Sequence, residues 1–418
     1  MQTRLVSRMD IDEGIRQQMA MENLTPFISG KTRIPLNVPT YGPEEVIEAL
    51  DSLMSTWVTM GKNVKRFEEM FAAYVGMRYG VMTNSGSSAN LLALSLITLD
   101  PGDEVIAPAL TWSTTIFPIA QAGGSPVLVD VDRETYNISP EAIERAITPR
   151  TRAIMPVHLL GNPCDMDAIM GIAKRHHLFI IEDCCEAHGA EYRGQKVGSF
   201  GAFSTYSFFF SHHISTIEGG MVLAREVGAA DKCRSMRAHG WIRDMSNRDE
   251  IAAANPDIDQ RFMFAYPGYN FRPTEIQGAF GIHQLPRLDE LVGMRRQQAR
   301  YFTYALSPHA DLLQLPVEAP NTKHSYFAYP ITIRDGAPFT KKELVTFLEG
   351  KGLETRPIEG SNMAIQPAMK YLKFRTEDLT NTEYIHDHSF FFGLHQGLGM
   401  EQQFAIVSYF DEFMGRYA

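Results

Sequence analysis

Seven short apolar runs dominate the first half of the chain: Tyr79 to Met82, Glu104 to Ala107, Pro126 to Val129, Ala153 to Val157, Leu178 to Ile181, Ala202 to Tyr206 and Met221 to Ala224. Most are continuous rather than alternating, the pattern of strands buried on both faces. The gaps between them leave room for helical crossovers, which predicts an α/β fold with a mainly parallel seven-stranded sheet and helices on both faces. The last run follows its predecessor too closely for a crossover, so it is expected to pair antiparallel.

The organisation around these runs is equally readable. Residues 1–35 read as an N-terminal arm, 36–304 as a large domain and 305–418 as a smaller C-terminal α+β domain. Gly42-Pro43-Glu44-Glu45 opens an amphipathic helix, with proline in its first turn. The polar stretch from Asp244 to Gln260 reads as an excursion loop, and Thr274 to Tyr301 as one long helix.

Composition narrows the function. The chain has 418 residues, 44% of them apolar, enough for two layers around a sheet. A net charge of −10 argues against nucleic acid or an anionic membrane as partner, since both select clustered Lys and Arg. No stretch is long and apolar enough to span a bilayer, and the N-terminus lacks the apolar segment of a signal peptide. Cys164, Cys184, Cys185 and Cys233 have no metal or cluster spacing and read as reduced thiols, so a cytoplasmic enzyme without a metal is expected.

Ligands of such sheets bind beyond the carboxyl ends of the strands, which directs attention to the residue after each run. Behind the first run, Thr83-Asn84-Ser85-Gly86-Ser87-Ser88-Ala89-Asn90 leads into an apolar helix. Free N–H groups and the positive dipole end there suit a phosphate, although serines before a helix are commonly only caps. The fifth run ends in Glu182-Asp183-Cys184-Cys185-Glu186, whose acids could meet a ligand nitrogen or act as plain caps. His212 and His213, after an aromatic strand, are general acid-base candidates or packed imidazoles. Arg237, Arg243 and Arg272 add cations that could hold carboxylates or phosphates, or end in surface ion pairs.

Taken together and in this order, these segments resemble the sugar aminotransferase and dehydratase family of fold-type-I pyridoxal-phosphate enzymes, over about residues 35 to 415. The likeness is carried by the Ser-Gly-Ser-Ser-Ala-Asn loop, Trp112-Ser113-Thr114, Glu182-Asp183, and Ser207 through the closing Glu218-Gly219-Gly220. The family's aminotransferases carry a cofactor-binding lysine six residues before that glutamate. Here the position holds His212, which moves protons but forms no lasting imine with an aldehyde. One dehydratase branch carries an iron–sulfur cluster on extra cysteines that this chain lacks. A second, acting on GDP-linked 4-keto-6-deoxy sugars, matches Phe210 to Ile214, Arg237 to Trp241, Pro267 to Asn270, Arg272-Pro273 and Arg356 to Ile358. The departures are the arm, Ala187 where that branch has serine, and the loop 244–260.

The resemblance implies a 3-dehydratase of a nucleotide-linked 4-keto-6-deoxy sugar, with a lysine-free 4-aminotransferase as the alternative. L-Glutamate would convert pyridoxal phosphate to pyridoxamine phosphate, and ammonia and 2-oxoglutarate would leave. By the same carry-over His212 is the catalytic base, and Gly86, Ser87, Trp112, Asp183, Glu186, Ser207 and Asn270 bind the cofactor. Thr56, Trp57, Val58, Thr59, His239, Arg243, Arg272 and Glu354 fall at substrate positions. Asn270 falls where the family reaches across a subunit boundary, which implies a homodimer with shared sites.

Overall fold

A computed structural model describes residues 7–21 and 26–417; residues 1–6, 22–25 and 418, which include part of the N-terminal arm, lie outside the described residues. All seven apolar runs form strands: β1 (Tyr79–Thr83), β2 (Glu104–Pro108), β3 (Ser125–Val129), β4 (Thr151–Ile154), β5 (Phe179–Asp183), β6 (Phe203–Ser207) and β7 (Gly220–Ala224). They lie in the order β1-β7-β6-β5-β4-β2-β3. β2 to β6 run parallel, while β7 pairs antiparallel with both β6 and β1. No helix intervenes between Ser207 and Gly220, so the chain returns beside β6 in the opposite sense.

The sheet has an eighth strand that the sequence reading did not foresee. Arg375–Thr376, from the C-terminal part of the chain, pairs parallel with β3. Two residues are too short to show a strand period, and the anchor is ionic: the Arg375 guanidinium reaches the Glu104 carboxylate at 3.2 Å. Apolar clusters cover both sheet faces. One centres on Phe67, Phe71, Ile169 and Leu288, the other on Leu92, Ile116, Ile119 and Cys233.

The long helix expected from Thr274 to Tyr301 is two helices, Glu275–Gln284 and Leu288–Ala305, separated by a turn at Leu285–Arg287. Pro286 sits in that turn, where it cannot donate a helical hydrogen bond. The excursion 244–260 contains a short helix, Arg248–Ala254, with no buried residue.

The smaller C-terminal unit is a four-stranded antiparallel sheet, Leu313–Gln314, Ala328–Ile333, Ser389–Gly393 and Thr355–Pro357, packed against Lys341–Gly350 and Met400–Met414. Phe302, Phe392 and Phe410 are fully buried in its core. The arm divides between the two units. Its helix Arg8–Met21 ties to Pro43–Met54 through Arg8 and Asp51 at 2.6 Å, whereas Ile34 is buried in the small unit and bridges to Leu353. Between the strand ends of the large sheet and the small unit lies a cavity of about 830 Å³.

Candidate active site

The cavity is built where β1, β2, β5 and β6 end. The helix Gly86–Leu96 starts at its edge with Ser85 as N-cap, whose hydroxyl accepts from the Ser88 N–H at 3.1 Å. That leaves the N–H groups of Gly86 and Ser87 for an anion. Close packing explains the glycines here. A Cβ on Gly86 would lie 2.5 Å from the Ser207 Cβ, and one on Gly220 would lie 2.2 Å from the Ser85 carbonyl oxygen. The phosphate-binding candidates Gly86, Ser87 and Ser207 therefore meet at one cavity wall.

Trp112 caps the helix Ser113–Gln121 and lines the same cavity with an indole that is 52% exposed, so a planar face is available for stacking. Asp183, at the end of β5, is buried and held from three sides. One carboxylate oxygen accepts from the Asn90 amide and the Thr115 hydroxyl, both at 2.9 Å, and the other from the Cys185 N–H at 3.1 Å. These donors fix the orientation of the Asp183 carboxylate at the cavity wall. Neither Asn90 nor Thr115 was given a role from the sequence, since nothing in their spacing marks them as partners of an acid on another strand.

Glu186 lines the cavity too, and its carboxylate accepts from the Leu160 N–H at 2.7 Å. Burial, then the neighbouring Glu359, pushes its pKa well above the carboxylate range. Glu359 itself is pushed up to about 7 by burial. Sequence reading missed Glu359, which sits in an irregular loop with no periodic neighbours.

His212 also lines the cavity, 9% exposed, against Phe209 and Phe327 at ring-centre distances of 6.4 and 5.3 Å. Burial, then the Arg295 cation, holds its pKa down to about 3, so the ring is neutral. Its neighbour His213 turns away, donating from Nε2 to the Ser325 carbonyl at 3.1 Å. One histidine of the pair thus faces the cavity and the other is packed.

A buried group of His158, Glu182 and Cys184 has its polar atoms close enough together to hold a metal. Its hydrogen bonds account for it otherwise. Glu182 accepts from the N–H groups of Gly198, Phe200 and Gly201 at 2.7, 2.8 and 2.7 Å, and His158 lies 3.2 Å away. This carboxylate anchors the loop before β6, a fate of the acid that precedes Asp183.

The other candidates do not line this cavity. Thr56 to Thr59 form an exposed turn in which Trp57 donates to the Met60 carbonyl and Thr59 bridges to Thr274. His239, Arg243 and Asn270 are exposed; Arg272 donates to Asn270 at 3.0 Å, and Arg243 lies over Trp241 beside Asp244. Glu354 pairs with Arg33 and Arg356 at 2.5 and 2.7 Å. Arg237, offered above as a possible ligand cation, is instead buried against Glu68 and the Met82 carbonyl at 2.5 and 2.7 Å.

Fold and cavity together are those of a fold-type-I, pyridoxal-phosphate-dependent enzyme. The chain belongs to the DegT/DnrJ/EryC1/StrS aminotransferase family, whose model matches residues 39–411. It is 38% identical over 372 residues to GDP-4-keto-6-deoxy-D-mannose 3-dehydratase of Yersinia pseudotuberculosis, covering 87% of this chain and 94% of that protein. It is 36% identical over 357 residues to GDP-perosamine synthase of Caulobacter vibrioides, covering 85% and 91%. A solved GDP-4-keto-6-deoxymannose-3-dehydratase with a trapped PLP-glutamate geminal diamine superposes with a TM-score of 0.84 at 34% identity, covering 89% of this chain and 98% of that one. The donor set fits the cofactor: free helix N–H groups and Ser207 for a phosphate, an exposed indole for a ring, and the buried Asp183 for a ring nitrogen.

Proposed function

We propose that this protein is a 3-dehydratase of a nucleotide-linked 4-keto-6-deoxy sugar, with L-glutamate as the source of nitrogen and electrons. The observation that carries this reading is His212, a neutral, buried imidazole lining the cavity where a family aminotransferase has its lysine. Bound here, pyridoxal phosphate supplies an electron sink and, once aminated, the nitrogen that joins the sugar's keto carbon.

The chain's own residues divide the remaining work. Gly86, Ser87 and Ser207 would hold the phosphate, Trp112 would cover the ring, and Asp183 would pair with the ring nitrogen and favour its protonated form. His212 would take a proton from the cofactor's exocyclic methylene carbon, the one bearing the transferable amine, and return it to the hydroxyl leaving carbon 3 of the sugar. With histidine at position 212, no amine from that position competes for the cofactor's aldehyde carbon. Atoms balance when glutamate becomes 2-oxoglutarate, ammonia is released and the sugar loses one oxygen.

Identity alone does not separate this activity from amino transfer, since relatives of both kinds lie within two percentage points, at 38% and 36%. His212 supports dehydration on chemical grounds, since an imidazole forms no lasting imine with an aldehyde. With pyridoxal phosphate, glutamate and a 4-keto-6-deoxy sugar nucleotide, the wild type should release ammonia only when the sugar is present. His212→Asn should retain the cofactor and lose at least about 100-fold in rate. Undiminished release would remove His212 from the mechanism.

A further inference from the structure

A cavity whose cofactor is not tethered to a lysine has a chemical requirement that His212 does not meet. A lysine holds the aldehyde as an imine, and an incoming amine simply exchanges with it. With histidine at position 212, each amine must add to a free carbonyl instead. The nitrogen lone pair forms the C–N bond as the carbonyl pair moves to oxygen, and that oxygen leaves as water only after a proton reaches it. Burial, then Arg295, holds the His212 pKa down to about 3, so this ring enters the reaction as a neutral base and not as an acid.

A proton donor stands elsewhere on the cavity wall. Glu359 lies in the turn that follows the strand Thr355–Pro357, and the turn is seated on the segment leading to Trp112. The Met363 N–H donates to the Ala109 carbonyl at 2.8 Å, and Asn362 bridges to Leu110. A Cβ on Gly360 would lie 2.1 Å from the Thr111 carbonyl oxygen. Gly360 and Ser361 both take left-handed backbone, with φ of 54° and 53°, and such a pair persists only where its surroundings over-determine it. The Glu359 carboxyl so placed lines the cavity and makes no hydrogen bond or ion pair among the described residues. Burial pushes its pKa up to about 7, so near neutral pH it can both hold and release a proton. Of the other carboxyls lining the cavity, Asp183 is committed to its three donors, Glu186 accepts from the Leu160 N–H, and Glu218 is solvent-exposed. The charges acting on Glu186 are those of Glu359 and Asp183, and Arg356, three residues before Glu359, is paired with Glu354 at 2.7 Å.

We propose that Glu359 is a further catalytic residue, the acid that gives its proton to the oxygen leaving as water when an amine condenses with a carbonyl in this cavity. Its carboxylate then takes the proton left on nitrogen, so the step forms one C=N bond, releases one water and returns Glu359 to its starting state. This role rests on the cavity being a pyridoxal-phosphate site and does not depend on which sugar oxygen is lost. Hydroxylamine, added to protein loaded with pyridoxal phosphate, forms the same kind of C=N bond with no proton taken from carbon, and absorbance follows it. Glu359→Gln should bind the cofactor as the wild type does and slow this trapping at least about tenfold, and Glu359→Asp should recover most of the rate. In cofactor-free protein labelled with 13C at the glutamate carboxyls, the signal missing from either variant reports Glu359. At about pH 6 it should be that of a protonated carboxyl, where an ordinary glutamate is ionised. An ionised Glu359 at that pH overturns the proposal, and one folded variant suffices to assign the signal. Trapping by Glu359→Gln at the wild-type rate overturns it as well. The expected trapping rates without dehydration of the sugar would count against the assigned reaction alone.

Discussion

At the residue scale the cavity sets a neutral base against a pair of acids, and burial governs both. His212 loses its charge because its wall is apolar and Arg295 lies behind it. Glu359 keeps a proton that an exposed glutamate gives up, because the cavity wall desolvates it to a pKa of about 7. A carboxyl whose folded pKa is raised binds more protons folded than unfolded, so its penalty appears as pH rises from about 4.5 to about 7. Glu359→Gln should therefore raise the Tm of the cofactor-free protein by ~1–3 °C at pH near 7.5 and leave it unchanged near pH 4.5. Scanning fluorimetry at both pH values checks this, and an equal shift at both would show that the charge state of Glu359 is not the cause.

At the scale of elements, the site depends on two close approaches. The helix Gly86–Leu96 starts against β6 at Ser207, and β7 starts against the turn before that helix. Gly86→Ala would drive a methyl into Ser207 and displace the phosphate wall, at a cost of about 1–3 kcal/mol. We expect its cofactor affinity, followed by absorbance titration, to fall at least about tenfold, with wild-type affinity counting against the wall's role. These elements were legible from the chain because strand runs and glycine turns are local signals. The expected single helix from Thr274 failed at Pro286, where a proline outweighed a continuous apolar period. Glu359, Asn90 and Thr115 carried no such signal, since their contacts join segments far apart in sequence. Arg375–Thr376 was hidden for the same reason, as a two-residue strand held by Glu104 has no periodicity.

At the scale of the whole molecule, seven of the carried-over cofactor and catalytic residues line one cavity, while Asn270, Arg272, Arg243 and His239 stand on another surface. A homodimer in which that surface completes the partner's cavity would account for the division. Mixing His212→Asn with Arg272→Ala after dissociation should then restore up to about a quarter of wild-type activity, because each mixed dimer has one intact site. No recovery on mixing would mean that the sites are not shared. Among the described residues no helix is long and apolar enough to cross a membrane, and the small unit supplies part of the cavity wall through Lys341, Arg356 and Phe391. The reaction proposed is loss of the hydroxyl at carbon 3 with a histidine in place of the lysine at position 212. Mass spectrometry of the sugar nucleotide after turnover with glutamate tests that reaction most directly. A product lighter than the substrate by one oxygen atom, with its keto group intact, is the expected result, and a product whose keto oxygen has become an amino group, with every hydroxyl retained, would contradict it.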